Sequence, residues 1–172
     1  VLRLLQGTSD RVMQHAALLE EVQSKDEDLW EGMVTSRRAE FTTEFFQFIR
    51  FKLEALVRAD AAKGGTSSSP RGGKTVTADE RVASVLLTIC EAFDEATKDQ
   101  QTLEDAADNF KELLEVETLE EMNTKIDEMQ AQGKLDPALV LTAAKAYMSV
   151  KESPYVEEEV KDVMAHLYFK MK

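Results

Sequence analysis

The strongest constraint on this sequence is a long proline-free stretch, residues 28–62, in which apolar side chains recur at steps of three and four residues. These side chains are Trp30, Val34, Phe41, Phe45, Phe48, Ile49, Leu53 and Leu56. Such steps match the 3.6-residue turn of an α-helix and place the side chains on one face. Gly32 is the only glycine in the stretch and marks a place where the helix can bend. The pattern predicts one long amphipathic helix.

Signals for helix starts and stops recur in the rest of the chain, and strand signals are nearly absent. Thr118 followed by Glu121 has the spacing of a capping box. Gly133 suits the end of that helix, and Asp136 before Pro137 suits the start of the next one. We therefore predict an all-α fold, a helical bundle of about six to seven helices with one long N-terminal helix and a flexible Gly/Ser linker.

The linker is the Gly- and Ser-rich stretch within residues 63–77, whose composition cannot bury enough apolar surface to order itself. A second capping box, Thr77 with Glu80, predicts that a helix starts directly after it. The predicted organisation is an N-terminal helical hairpin with the long amphipathic helix (1–62), the linker (63–77) and a C-terminal acidic helical bundle (78–172). In the bundle, the segment 139–148 is apolar nearly all round, which predicts a central, buried helix.

Charge and composition exclude several classes of function. The net charge is -12, and residues 77–172 carry all of it, with 22 acidic and 10 basic side chains. Nucleic-acid binding relies on clustered Lys and Arg, so we expect no nucleic-acid partner. No stretch approaches the roughly 20 apolar residues of a membrane helix, so we expect no direct membrane span. The single cysteine, Cys90, lies in an apolar run and is expected to be a small core residue in a reducing compartment.

The motifs that could carry chemistry are weak. Gly73, Lys74 and Thr75 resemble the end of a phosphate-binding loop, but Ser68 stands where its first glycine belongs. His166 follows Asp162 by one helical turn, yet a metal site needs three or four ligands. We therefore predict no catalytic residues, no cofactor, no metal site and no enzymatic activity.

Large apolar side chains off the core face of the long helix are candidates for contacts with another protein. On a helical projection, Met33 and Phe51 lie on the side that carries Glu40, Glu44 and Gln47. Exposed apolar and aromatic side chains of this kind are typical interface anchors. The predicted partner-binding residues are Trp30, Met33, Phe46 and Phe51. Packing of a second helix on this side of the long helix is the structural alternative.

Four segments of the C-terminal half have a familiar sequence: Phe110–Leu114, Lys134–Asp136, Lys151–Ser153 and Val160–Tyr168. The most specific residues are Lys161–Asp162 and His166–Leu167–Tyr168. With these segments, the chain over roughly residues 80–170 resembles an uncharacterised family of nuclear-encoded chloroplast proteins of plants and green algae. The resemblance implies a plastid protein, in the stroma or on the stromal face of the thylakoid, whose transit peptide has been removed and whose relatives continue beyond residue 172. It assigns no catalytic residues.

These observations together favour a non-enzymatic helical protein-binding module. The resemblance implies a chloroplast auxiliary factor for assembly, repair or stabilisation, with subunits of a thylakoid photosynthetic complex as partners and photosystem II as the specific candidate. One alternative is an enzyme or a pigment or cofactor carrier that uses the bundle interior near Tyr147, Tyr168 and His166. Another is a protein-contacting subunit of the plastid gene-expression machinery.

Overall fold

The computed structural model describes the backbone of residues 2–62 and 70–172, and the side chains of residues 7–59, 61–62 and 78–172. Over those ranges the chain forms eight α-helices and two 3-10 turns, Glu27–Leu29 and Arg38–Glu40, and no strand. The α-helices are α1 (Leu2–Ser24), α2 (Trp30–Arg37), α3 (Thr43–Ala62), α4 (Pro70–Ala96), α5 (Gln100–Leu114), α6 (Leu119–Ala131), α7 (Pro137–Glu152) and α8 (Glu158–Met171). The predicted all-α fold is confirmed. No helix in the described part of the chain combines the length and apolar character needed to cross a membrane.

The prediction of one long helix over residues 28–62 is wrong. The helix is interrupted by the 3-10 turn Arg38–Glu40 and restarts as α3 after Thr42. The Thr42 hydroxyl accepts a hydrogen bond from the backbone N–H of Phe45 at 3.2 Å, as an N-cap side chain does. Gly32 lies inside α2 and causes no break. The local hydrogen bond of Thr42, rather than the glycine, marks where the helix stops and restarts.

The helix signals of the C-terminal half are confirmed. The Thr118 hydroxyl accepts from the N–H of Glu121 at 3.2 Å, and the Glu121 carboxylate accepts from the N–H of Glu117. The Asp136 carboxylate caps α7 by accepting from the N–H of Leu139 at 2.9 Å. Gly133 has a φ of 69°, the left-handed conformation that favours glycine after a helix end.

Part of the predicted linker, residues 63–69 with all three of its serines, lies outside the described residues. Pro70 begins α4, so the linker does not extend to residue 77, and Thr77 lies inside the helix instead of capping it. Proline is well tolerated in the first turn of a helix, where its missing N–H has no partner to lose. The capping-box prediction at Thr77 is therefore wrong.

The contacts divide the chain into two compact units. The first comprises the described parts of Val1–Asp26 and Ala39–Thr88, and the second comprises Glu27–Arg38 and Ile89–Lys172. The division differs from the predicted organisation, because the segment Glu27–Arg38 belongs with the C-terminal helices and α4 contributes to both units.

The second unit is built around α7, as its apolar sequence predicts. Helix α7 packs against α2, α5 and α8, and its buried side chains include Leu139, Ala144 and Tyr147. Gly32 on α2 permits a close approach, because a Cβ at that position would lie 2.5 Å from the backbone oxygen of Ala144. The absence of a side chain at residue 32 thus brings α2 onto α7.

In the first unit, one buried carboxylate links three helices. Asp79 on α4 is 2% exposed and accepts a hydrogen bond from the side-chain amide of Gln23 on α1. The ammonium of Lys52 on α3 lies 3.4 Å from its second oxygen, Oδ2. Because a buried carboxylate needs a neutralising partner, this ion pair ties α3 to α4.

Candidate functional site

The four predicted partner-binding residues differ in their exposure to solvent. Trp30 and Met33 are buried, with exposed fractions of 6% and 1%. Phe46 is partly buried and makes an edge-to-face contact with Phe45, with ring centroids 5.3 Å apart. Phe51 is 67% exposed. Only Phe51 presents most of its ring to solvent.

The expectation that Met33 projects away from the core is wrong for a geometric reason. It rested on a single helix that continues from residue 28 to residue 62. The helix is instead broken by the 3-10 turn Arg38–Glu40, so Met33 and Phe51 lie on two separate helices, α2 and α3. Met33 and Trp30 belong to the buried side chains of α2.

Of the three residues proposed to line an interior pocket, two come together. The rings of Tyr147 and Tyr168 stack with centroids 5.3 Å apart and an interplanar angle of 19°. His166 does not join them, and its Nε2 lies 2.7 Å from Oδ1 of Asn123 on α6. Among the described side chains, no group of three or more His, Cys, Asp or Glu residues is placed to hold a metal ion.

The two stacked tyrosines form the centre of a polar cluster that sequence reasoning missed. We call it the paired-tyrosine cluster. It contains two copies of the same arrangement, in which a tyrosine donates to a carboxylate and a lysine one helical turn later lies beside both. Its members are Asp28, Glu31, Tyr147, Lys151, Tyr168 and Lys172.

The first half of the cluster is centred on Asp28, just before α2. The Tyr147 hydroxyl donates to Oδ2 of Asp28 at 2.7 Å, and the Lys151 ammonium donates to the same oxygen at 3.1 Å. The Lys151 ammonium also lies 5.5 Å from the centroid of the Tyr147 ring, within the range of a cation–π contact.

The second half repeats this geometry with Glu31. The Tyr168 hydroxyl donates to Oε2 of Glu31. The Lys172 ammonium donates to the Tyr168 hydroxyl at 3.2 Å and lies 3.6 Å from the same Glu31 oxygen. Tyr168 itself is fully buried. The cluster therefore fastens the segment Asp28–Glu31 to the C-terminal parts of α7 and α8.

The shifted pKa values in the paired-tyrosine cluster follow from burial and hydrogen bonding. Burial opposes ionisation of Asp28, but the hydrogen bonds from Tyr147 and Lys151 outweigh it and hold the pKa of this carboxyl below its usual value. Burial first, and then the hydrogen bond to Glu31, raises the pKa of Tyr168 far above the usual range; burial and the hydrogen bond to Asp28 raise the pKa of Tyr147. An ionised Asp28 carboxylate and tyrosine hydroxyls that stay protonated are typical of a structural network.

The sequence contains a local signal for part of the paired-tyrosine cluster. The spacing Tyr-x3-Lys occurs at Tyr147–Lys151 and again at Tyr168–Lys172. Side chains four residues apart lie on the same helix face, so each pair is predictable locally. The pairing of the two copies with Asp28 and Glu31, more than a hundred residues away, is not.

An open groove of about 460 Å³ lies beside α6, and we call it the acidic groove. It is lined by Val116, Glu120, Glu121, Thr124, Lys125 and Glu128. Lys125 is paired with Glu112 on α5, with 3.5 Å between Nζ and Oε2. Two leucines close to it in sequence, Leu114 and Leu119, are 49% and 46% exposed. The groove combines carboxylates with apolar surface and lies outside the paired-tyrosine cluster.

The fold, the paired-tyrosine cluster and the acidic groove define an acidic, all-helical protein with a central helix in its second unit. Its sequence belongs to the family described as a domain of unknown function, DUF8246, whose model matches residues 1–97. The model of the At4g37920-like middle domain matches residues 112–172. The chain is 30% identical over 154 residues to the protein titled "Uncharacterized protein At4g37920" of Arabidopsis thaliana. No solved structure matches the chain.

That alignment covers 90% of this chain and 33% of the Arabidopsis protein, so the chain spans about a third of the length of this relative. The predicted resemblance to a family of plant proteins is confirmed, and the match to the middle domain falls in the C-terminal half where the resemblance was found.

Proposed function

We propose that this chain is a non-enzymatic protein-binding module of a chloroplast auxiliary factor. It docks on a thylakoid photosynthetic complex from the stromal side and assists assembly, repair or stabilisation, with photosystem II as the specific partner. The observation that carries the proposal is the 67% exposure of the Phe51 ring in the middle of a regular helix.

Phe51 is suited to be an interface anchor. A phenylalanine contributes about 1.5 to 3 kcal/mol when it is fully buried, and most of that free energy is unused while the ring faces water. Aromatic anchors that insert into a partner pocket account for much of the affinity in many interfaces. Helix α3 also holds its fold without this ring, because Phe45 and Ile49 supply its buried side.

The plant setting is supported by the Arabidopsis relative. The plastid location and the photosynthetic partner rest on the resemblance of the C-terminal half. For the interior-ligand alternative, the relevant observation is the stacking of Tyr147 on Tyr168, which places the two rings against each other rather than around an open space.

Copurification tests the proposal. Tagged protein is isolated from its native cells in mild detergent, and its partners are identified by mass spectrometry. We expect subunits of a thylakoid complex with the wild-type chain and their loss with Phe51→Ser, which leaves the core of α3 intact. Val57→Ser is the matched control, because Val57 is a 55% exposed apolar side chain on the same helix but on another face.

The outcomes separate the parts of the proposal. Recovery of a partner by both variants would reject Phe51 as the anchor and leave the binding function. Wild-type protein that emerges without any partner would contradict the binding function itself.

A further inference from the structure

The acidic groove is carried by α6, and its carboxylates are arranged along that helix. Glu120, Thr124 and Glu128 follow one another at intervals of four residues, and Glu121 and Lys125 form a parallel pair. Residues four apart line one helix face. With a rise of about 1.5 Å per residue, the face from Glu120 to Glu128 is about 12 Å long, which is enough for about two turns of a docked helix.

The charge of the sequence around the groove is strongly negative. Residues 112–128 contain seven acidic side chains and one basic side chain, Lys125, which is paired with Glu112. A concave surface with such a charge focuses its field on an approaching cation. The side chains of Glu120 and Glu128 are exposed, so their charges are open to a partner.

Apolar surface accompanies the charge. Val116 lines the groove and packs partly against the core of the second unit, and Thr124 contributes a methyl group. Leu114 and Leu119 are about half exposed at the end of α5 and the start of α6. A groove that holds an amphipathic helix uses charged groups and apolar groups together.

We infer that the acidic groove binds a basic amphipathic helix of a partner protein, whose apolar stripe lies along Val116 and Thr124 and whose Lys or Arg side chains meet Glu120 and Glu128. The inference rests on the proposed protein-binding function and specifies the class of partner. It assigns to the second unit a contact that is separate from Phe51 on α3.

A synthetic peptide tests the assignment directly. The probe is an amphipathic helix with a leucine stripe flanked by lysines, and the control peptide has the same stripe flanked by glutamates. Binding to the purified chain is followed by fluorescence anisotropy at low and high salt. We expect the lysine peptide to bind, the glutamate peptide to bind at least tenfold more weakly, and salt to weaken binding of the lysine peptide.

Two matched variants locate the contact. The double substitution Glu120→Gln and Glu128→Gln removes two groove charges without changing side-chain shape. Glu104→Gln with Asp108→Asn removes two exposed charges from α5, away from the groove lining. We expect the groove variant to bind the lysine peptide at least fivefold more weakly than wild type, and the α5 variant to change affinity by less than twofold.

Equal losses in the two variants, or equal binding of the two peptides, would overturn the assignment. A dimer of the wild-type chain that the groove substitutions disperse would identify a second copy as the occupant and overturn it too. In native cells, a groove variant that retains every partner of the wild-type chain would reject the groove and keep the binding function. Failure of the wild-type chain to recover any partner would reject the function.

Discussion

The two tyrosine hydroxyls of the paired-tyrosine cluster differ in what their loss would leave behind. Asp28 accepts from both Tyr147 and Lys151, so it keeps a partner when the tyrosine hydroxyl is removed. Glu31 accepts from Tyr168, whereas the Lys172 ammonium, 3.6 Å from the same oxygen, lies beyond hydrogen-bond distance. Because Tyr168 is fully buried, the second half of the cluster is the more sensitive one.

Tyr168→Phe should therefore lower the free energy of unfolding by about 1 to 3 kcal/mol, since it removes a buried hydrogen bond to a carboxylate without changing the packing volume. Tyr155→Phe is the matched control, because Tyr155 is 95% exposed and its substitution should leave stability unchanged. Urea unfolding followed by circular dichroism measures both. Equal stability of Tyr168→Phe and wild type would contradict the structural role of the cluster.

The cluster also predicts how stability changes at high pH. The pKa values of Tyr147 and Tyr168 are raised above the ordinary 10.0, so the folded state prefers the protonated hydroxyls more strongly than the unfolded state does. Their contribution to stability is complete below pH 10 and is lost as the pH rises through the folded-state values. Stability should therefore fall above pH 10.

Tyrosinate absorbance checks this in the Tyr155→Phe variant, where the remaining tyrosines are those of the cluster. We expect ionisation above the ordinary tyrosine range and together with loss of the circular dichroism signal. Ionisation of both tyrosines near pH 10 in a chain that stays folded would be the contrary result.

Helix α2 shows how a residue without a side chain can fix the position of a helix. A Cβ at Gly32 would meet the Ala144 oxygen at 2.5 Å and the Met148 Cβ at 2.8 Å. Both neighbours belong to α7, and a backbone oxygen cannot move aside as a flexible side chain can. The packing of α2 on the central helix thus depends on glycine at this position.

Gly32→Ala should accordingly destabilise the chain by about 1 to 3 kcal/mol through overpacking. Gly7→Ala should act in the opposite direction and stabilise α1 by up to about 1 kcal/mol, because a Cβ at residue 7 meets nothing within 4 Å and alanine is the better helix former. Thermal unfolding of the two variants gives the comparison. A Gly32→Ala protein that is as stable as Gly7→Ala would contradict the close approach of α2 to α7.

Local signals made some elements predictable and left others hidden. Thr118 and Asp136 cap helices with their own side chains within three residues, so the sequence contains the whole interaction. The break after Arg37 could not be read in the same way, because the apolar spacing continues through it and Phe45, three residues after Thr42, is not the Glu or Gln of a capping box. The burial of Met33 was missed as a direct consequence.

Contacts between distant segments account for the rest. The segment Glu27–Arg38 belongs to the second unit although the chain between Ala39 and Thr88 belongs to the first. Its attachment through Gly32 and the paired-tyrosine cluster joins residues separated by more than a hundred positions. Helical periodicity reports which face of a helix is apolar, but it does not report which other helix covers that face.

The two proposed contacts lie in parts of the chain that differ in net charge. Residues 1–76 have 11 basic and 11 acidic side chains, and the net charge of -12 arises from residues 77–172. An apolar contact through Phe51 should be insensitive to salt, whereas a contact through the acidic groove should weaken as salt rises. The two contacts can therefore be told apart in the same native complex.

Copurification of the wild-type chain from native cells in mild detergent tests the central claim, protein binding, most directly. The account predicts that thylakoid complex subunits are recovered in constant proportion to the tagged chain, at the size of an assembly. A chain that emerges as a free monomer, with no subunit in constant proportion to it, would contradict the account.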